Sequence, residues 1–443
     1  MLGEQNKHYG LFTTIAMIVG IVIGSGIFFK TDNILVSTNG DVGLGAIVFA
    51  IAAISIIFGC LTLKNLAALT DEPGGVIAYS EQFIGKKFAS AFGWFQVFVY
   101  YPALTAVISW VVGIYIAMLF GWDASLEQQI LLGLGWFTIC YAFNIFSAKI
   151  GGIFQNFSTV VKMIPLISVG VLGVMFGDPI ETLTSTSRNS PEGLSWLSAI
   201  GPIAFAFDGW VISTAIAFEV KDAKKNLPKA LIIAPICILA LYLTYYIGIS
   251  SYIGAEKVIE LGDNSLYYIA TNFFGPAGAK IVMVFVVISI MGTINGVILG
   301  FIRLPYALAL KGMLPKSEWI STVNKKNMMP INSAIVSIVI SLIWLMIHYF
   351  TQKYDILTNS DVSEIAIAMS YLLYIGLYIQ TFKFWRKGKI KGIGNGVVFP
   401  AFAIIGSLFI LTGALQNSLF LIFVAICLAS LIAGYIYALK AKL

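Results

Sequence analysis

Long apolar runs alternate with short polar ones along the whole chain. Ala46 to Cys60, Ala230 to Ile249 and Ile331 to Ile347 are typical runs. A helix of roughly 20 apolar residues crosses the hydrocarbon layer of a bilayer. The pattern predicts about twelve such spans: 11–38 (broken), 44–68, 89–119, 127–145, 153–176, 196–219 (broken), 229–253, 279–306, 331–349, 362–382, 394–414 and 418–438. The longest polar stretches, Asp178 to Trp196 and Lys311 to Pro330, are loop-sized, so one transmembrane domain over 1–443 is expected. The first run continues past Gly20 into further apolar sequence, which is not the pattern of a cleaved leader.

Composition agrees with that pattern. The 443 residues are 59% hydrophobic and 11% charged, against about 25% charged in soluble domains. Of the 27 Lys and Arg, twelve spans place 21 on the side of both termini and five (Lys30, Arg188, Lys257, Lys280, Lys353) on the other, with Lys162 inside a span. Basic residues concentrate in cytoplasmic loops, so a multi-pass cell-membrane protein with both termini cytoplasmic is expected. The net charge of +6 then reflects topology, and no nucleic-acid partner is needed to explain it. Cys60, Cys140, Cys237 and Cys427 lie far apart in or beside apolar runs and read as small buried residues. His8 and His348 are isolated, so neither a metal site nor a cofactor is expected.

Two spans depart from clean helix. The first reads Ile23-Gly24-Ser25-Gly26-Ile27 at mid-membrane, where each glycine costs about 1 kcal/mol of helix propensity. The sixth holds Gly201, Pro202, Asp208 and Gly209 within nine residues, and proline removes a backbone donor. Close helix packing explains a lone G-x-G. These breaks, however, fall in spans one and six, the first helix of each five-helix half, and paired interruptions of this kind mark transporter binding sites. Unwinding frees amides at Ser25, Gly26 and Ile27, which favour a carboxylate. It also frees carbonyls at Val22, Ile23, Phe205, Ala206 and Phe207, which accept from an ammonium. An anion site beside a cation site suits a zwitterionic α-amino acid, and glycine at 24 and 26 lets it approach the backbone.

Gly24-Ser25-Gly26-Ile27-Phe28 resembles the signature of the amino acid–polyamine–organocation superfamily. Glu219 through Pro228, and Ser289 through Asn295-Gly296, Arg303 and Gly312-Met313-Leu314-Pro315, are similar to its later motifs in consistent order over about 10–400. Within it the chain looks most like the L-type amino acid transporters, including exchangers of alanine, serine and cysteine. The resemblance implies an all-α LeuT-type fold of 12 transmembrane helices: inverted repeats at about 10–176 and 194–382, two peripheral helices at about 394–438, and helices one and six discontinuous. It implies sodium-independent exchange of small neutral L-amino acids by alternating access. By position, Ser25, Gly26 and Ile27 take the carboxylate, Val22 and the Phe205–Phe207 carbonyls the amine, and an aromatic at 205 or 207 gates the substrate, with Phe207 favoured. Eukaryotic members carry a cysteine between helices three and four that links a heavy subunit. The loop Gly121 to Gln129 has none, so no disulfide-linked partner is expected.

Lys162 stands in the middle of span five, where a lysine costs about 2.5–3.5 kcal/mol. The resemblance places it under helix one and beside helix eight near Ser289, where sodium-coupled relatives hold an ion. It either substitutes for that cation or releases a proton each cycle, which would make the protein a proton-coupled symporter. Asp208 either pairs with Lys162, binds substrate or faces a water-filled vestibule. Tyr245 and Asn295 are further polar candidates, with Tyr246 and Thr244 beside them. A channel lacks its polar stripe here, and no Ser/His/Asp set or metal cluster suggests an enzyme.

Overall fold

The structure is a computed structural model describing residues 10–70, 75–185, 191, 193–211, 220–324, 329–357 and 360–443. The described residues are helical, without strands. In chain order the helices are α1 (Leu11–Val22), α2 (Ser25–Phe29), α3 (Thr31–Ser37), α4 (Val42–Ala67), α5 (Gly75–Phe83), α6 (Lys86–Phe95), α7 (Tyr101–Phe120), α8 (Leu126–Phe146), α9 (Ala148–Val161), α10 (Met163–Phe176), α11 (Pro179–Thr184) and α12 (Ile200–Ala206). They continue as α13 (Ala223–Ile253), α14 (Ala255–Leu261), α15 (Ser265–Leu310), α16 (Ser317–Ile320), α17 (Ile331–Lys353), α18 (Ser363–Arg386), α19 (Phe399–Ala414) and α20 (Phe420–Lys440).

Eleven segments of the described residues are long and apolar enough to cross a membrane. Of the expected span 196–219, only Ser195–Ala206 is an apolar helix and 212–219 lies outside the described residues, as does Glu219 of the motif above. Span three runs through a π turn at Gln96–Tyr100. Span eight is longer than expected because two helices meet at Gly275, whose φ of 71° the ordinary helix excludes.

Apolar side chains also face outward all round, such as Phe12, Ile150, Met346 and Leu421, as expected of a surface in lipid. Helix contacts are made by small residues: a Cβ on Gly173 of α10 would stand 2.4 Å from the Gly248 carbonyl of α13. Cys60, Cys140 and Cys427 are buried as expected, whereas Cys237 is exposed on the outward face of α13.

Candidate functional site

The first break lies between α1 and α2. Ile23 ends α1 with an extended backbone (φ −67°, ψ 114°) and Gly24 continues it (φ −151°, ψ −141°) before α2 begins at Ser25. The chain then stays helical through α3, since the Lys30 amide donates to the Gly26 carbonyl and Ile34 to Lys30. The amides of Ser25, Gly26 and Ile27 therefore open a run of helix and lack the partners a preceding turn would supply. Ser25 Oγ is buried beside them with no hydrogen-bond partner among the described residues.

The second break follows α12. Phe207 ends that helix, its amide donating to Ile203 O, and Asp208 N donates to Phe205 O. Gly209 has φ +94°, a conformation that costs a side-chain-bearing residue dear. The two breaks touch. A Cβ on Gly26 would stand 2.5 Å from Ala206 Cα, so only glycine allows this approach.

Two side chains tie the breaks down. Lys162, fully buried, donates from Nζ to Gly20 O at 2.8 Å and to Ile23 O at 2.6 Å. It caps the carbonyl end of α1, where the helix dipole is negative. The Tyr242 hydroxyl of α13 donates to Ala206 O at 2.8 Å and lies 3.3 Å from Val22 O, bridging both broken helices. Sequence reasoning missed Tyr242, because tyrosine in a membrane span reads as packing or interface. The carbonyls expected to meet an ammonium are thus partly engaged, although each keeps a second lone pair.

A cavity of about 490 Å³ reaches both breaks. Val22, Gly24, Ser25 and Gly26 line it from the first, and Phe205, Asp208 and Gly209 from the second. Gln96, Tyr100, Tyr101, Thr293 and Tyr374 complete the inner wall. From there it extends past Arg303 to Lys311, which pairs with Glu81. Phe205 also lines it, and Lys30 Nζ lies 5.4 Å from the Phe205 ring centre.

Several sequence expectations change at this point. Phe207, favoured as the gate, packs away from the cavity against Tyr242 (5.1 Å between ring centres) and Phe49 (6.3 Å). Phe205 holds the cavity face instead, because the turn after Ala206 rotates Phe207 toward α4 and α13. Ile23, Ile27 and Ala206 are buried and do not line the cavity. Lys162 makes its two bonds to α1, while Ser289 Oγ is buried without a partner among the described residues. Asp208 does not pair with Lys162. Its Oδ2 accepts from the Tyr100 hydroxyl at 2.5 Å, at the cavity wall. Tyr245 packs edge-on against Phe28 (5.5 Å), outside the cavity. Asn295 braces helices, donating to Gly151 O and Gln155 Oε1 and accepting from Asn144. Lys30, counted among the basic residues on the side opposite the termini, is buried.

The family model described as amino acid permease matches residues 9–438. The chain is 28% identical over 414 residues to the serine/threonine exchanger SteT of Bacillus subtilis, covering 92% of this chain and 91% of that protein. It is 27% identical over 425 residues to the b(0,+)-type amino acid transporter 1 of Mus musculus, covering 91% and 82%. To the Asc-type amino acid transporter 1 of Homo sapiens it is 27% identical over 356 residues, covering 74% and 64%.

Proposed function

This chain belongs to the amino acid permease family, as a multi-pass transporter of amino acids with the LeuT-type fold, and we propose that it is a sodium-independent exchanger of small neutral L-amino acids. The observation that carries the reading is the single cavity reaching both broken helices, with the free Ser25 hydroxyl on one side and the Asp208 carboxylate on the other. The substrate carboxylate sits on the amides of Ser25, Gly26 and Ile27. The ammonium sits against the Val22 and Phe205–Phe207 carbonyls. Phe205 closes over the substrate. Asp208 accepts from a side-chain hydroxyl, which favours serine and threonine over alanine. A relative named as a serine/threonine exchanger supports that preference.

Lys162 replaces a coupling cation. Its ammonium already satisfies the carbonyls of Gly20 and Ile23, so a sodium ion has no vacancy to fill there. Without a coupling ion, transport depends on substrate to drive the return step, which is exchange. The two five-helix repeats rock about the site, and the cavity's Lys311 end is the cytoplasmic one, where the basic residues concentrate. No disulfide-linked subunit is involved.

Uptake of labelled serine into proteoliposomes tests this. Uptake should need internal amino acid and ignore sodium. Uptake into empty vesicles driven by sodium overturns the reading. Uptake into empty vesicles driven by an inward proton gradient replaces exchange with symport.

A further inference from the structure

Above Phe205, on the side away from the cavity, lies a cluster that the transport cycle described so far does not use. Lys30 Nζ is 2.7 Å from Asp361 Oδ2 and 2.7 Å from Glu364 Oε1. The three side chains are 2%, 1% and 7% exposed, so two carboxylates share one ammonium out of reach of water. An uncompensated buried charge is costly, and buried acids shed it by taking a proton. The surrounding titratable groups do not supply a second positive charge. Asp32 and Asp263, which feel the Lys30 charge, are themselves acids. His348, fully buried and electrostatically coupled to Asp361 and Lys30, has neither ring nitrogen hydrogen-bonded among the described residues.

The hydrogen bonds say which carboxyl holds the proton. Asp361 Oδ1 accepts from the Ser363 amide (2.8 Å) and the Ser363 hydroxyl (2.5 Å), and its Oδ2 faces the Lys30 ammonium at 2.7 Å without a hydrogen bond among the described residues, so an added proton on Asp361 would face a backbone amide or an ammonium, neither of which can accept it. Glu364 Oε2 has the Ser360 hydroxyl at 2.7 Å. That contact survives protonation with donor and acceptor exchanged, because a hydroxyl can serve as either. The cluster also joins moving parts. Lys30 belongs to the α2–α3 run, Glu364 to α18, and a Cβ on Gly201 of α12 would stand 2.7 Å from Glu364 Oε2. Opening the closed end must pull these helices apart.

We propose that Lys30, Asp361 and Glu364 form a proton-binding lock on the outer gate. Glu364 takes one proton from the external medium when the gate closes and returns it when the gate opens. The inference rests on the transporter reading and on the Lys311 end being cytoplasmic.

The test is exchange of labelled serine in proteoliposomes at varied external pH, with infrared spectroscopy of the same protein in detergent. Raising external pH strips the lock and favours the outward-open state. The KM for external serine should therefore fall about threefold or more between about pH 5.5 and 8. Glu364→Gln, which mimics the protonated acid, should make KM flat. So should Asp361→Asn, which leaves one carboxylate for one ammonium. The closed wild type should show a carboxylic-acid C=O band that shifts on isotopic labelling of glutamate carboxyls. A flat wild-type KM overturns the lock, as does a pH dependence that persists in both variants. Absence of the labelled band overturns it too, and a response to external sodium at fixed pH assigns the site to a metal cation instead. If the wild type exchanges no amino acid, the function reading fails while the infrared band still decides the lock.

Discussion

Replacing Lys162 by methionine removes an ammonium while keeping nearly the same length and volume, so no cavity term enters. What goes is a pair of charge-assisted hydrogen bonds, 2.8 Å to Gly20 O and 2.6 Å to Ile23 O. Bonds to a charged group contribute about 1.5–3 kcal/mol each, so the lower bound for the pair is about 3 kcal/mol. Global stability should move less than that, since burying an ammonium itself costs several kcal/mol and the variant is spared it. The conformational equilibrium has no such relief. On the proposed orientation these bonds hold the carbonyl end of α1 in the closed-outside arrangement, and a change of about 3 kcal/mol alters a two-state ratio about a hundredfold. Lys162→Met should therefore lower serine exchange in proteoliposomes at least about tenfold, with a detergent melting temperature within a few degrees of wild type. Exchange within about twofold of wild type would remove Lys162 from the mechanism and leave its two contacts as packing.

Gly26→Ala should push α2 from α12, because its Cβ meets the Ala206 backbone at 2.5 Å; overpacking of this kind costs about 1–3 kcal/mol, read as a lowered melting temperature and lost exchange. Tyr242→Phe deletes the 2.8 Å bond to Ala206 O. It should cost about 1 kcal/mol and slow exchange about fivefold, measured as serine counterflow. Asp208→Asn keeps the volume and the Tyr100 contact but weakens acceptance of a substrate hydroxyl. The preference for serine over alanine in competition assays should then shrink about tenfold, and unchanged selectivity would place Asp208 outside recognition.

The helical architecture was readable because lipid allows little else: apolar runs of sufficient length must be helices. Both breaks were readable for the same reason, since glycine, proline and an acid at mid-membrane contradict the local preference. Lys162 stood out as a charge where charges are expensive. What the sequence could not supply was direction. Phe205 and Phe207 are two residues apart in a segment that leaves helix geometry after Ala206, so no 3.6-residue period assigns their faces. Tyr245 and Tyr242 are nearly one turn apart on α13, yet one packs on Phe28 and the other reaches two carbonyls. Asn295 is polar and central but is consumed by Asn144, Gly151 and Gln155.

Lys30 shows why long-range pairs stay hidden. It follows Phe28-Phe29 and precedes Thr31-Asp32 in the last part of the expected first span, 11–38, where a basic residue reads as belonging to the side opposite the termini. Its partners lie more than 300 residues away, and Glu364 itself looks like part of the start of a span rather than part of a cluster. The placement has a physical consequence for the transport cycle. Each end of the broken first helix is held by a lysine, Lys162 on the carbonyl end of α1 and Lys30 beyond α2. Lys162 binds backbone dipoles, whose charge does not change with pH. Lys30 binds carboxylates, whose charge does. The inner anchor therefore has constant strength, whereas the outer one can be weakened by removing a single proton, and exchange that senses external acidity should be set at the Lys30 end of the molecule.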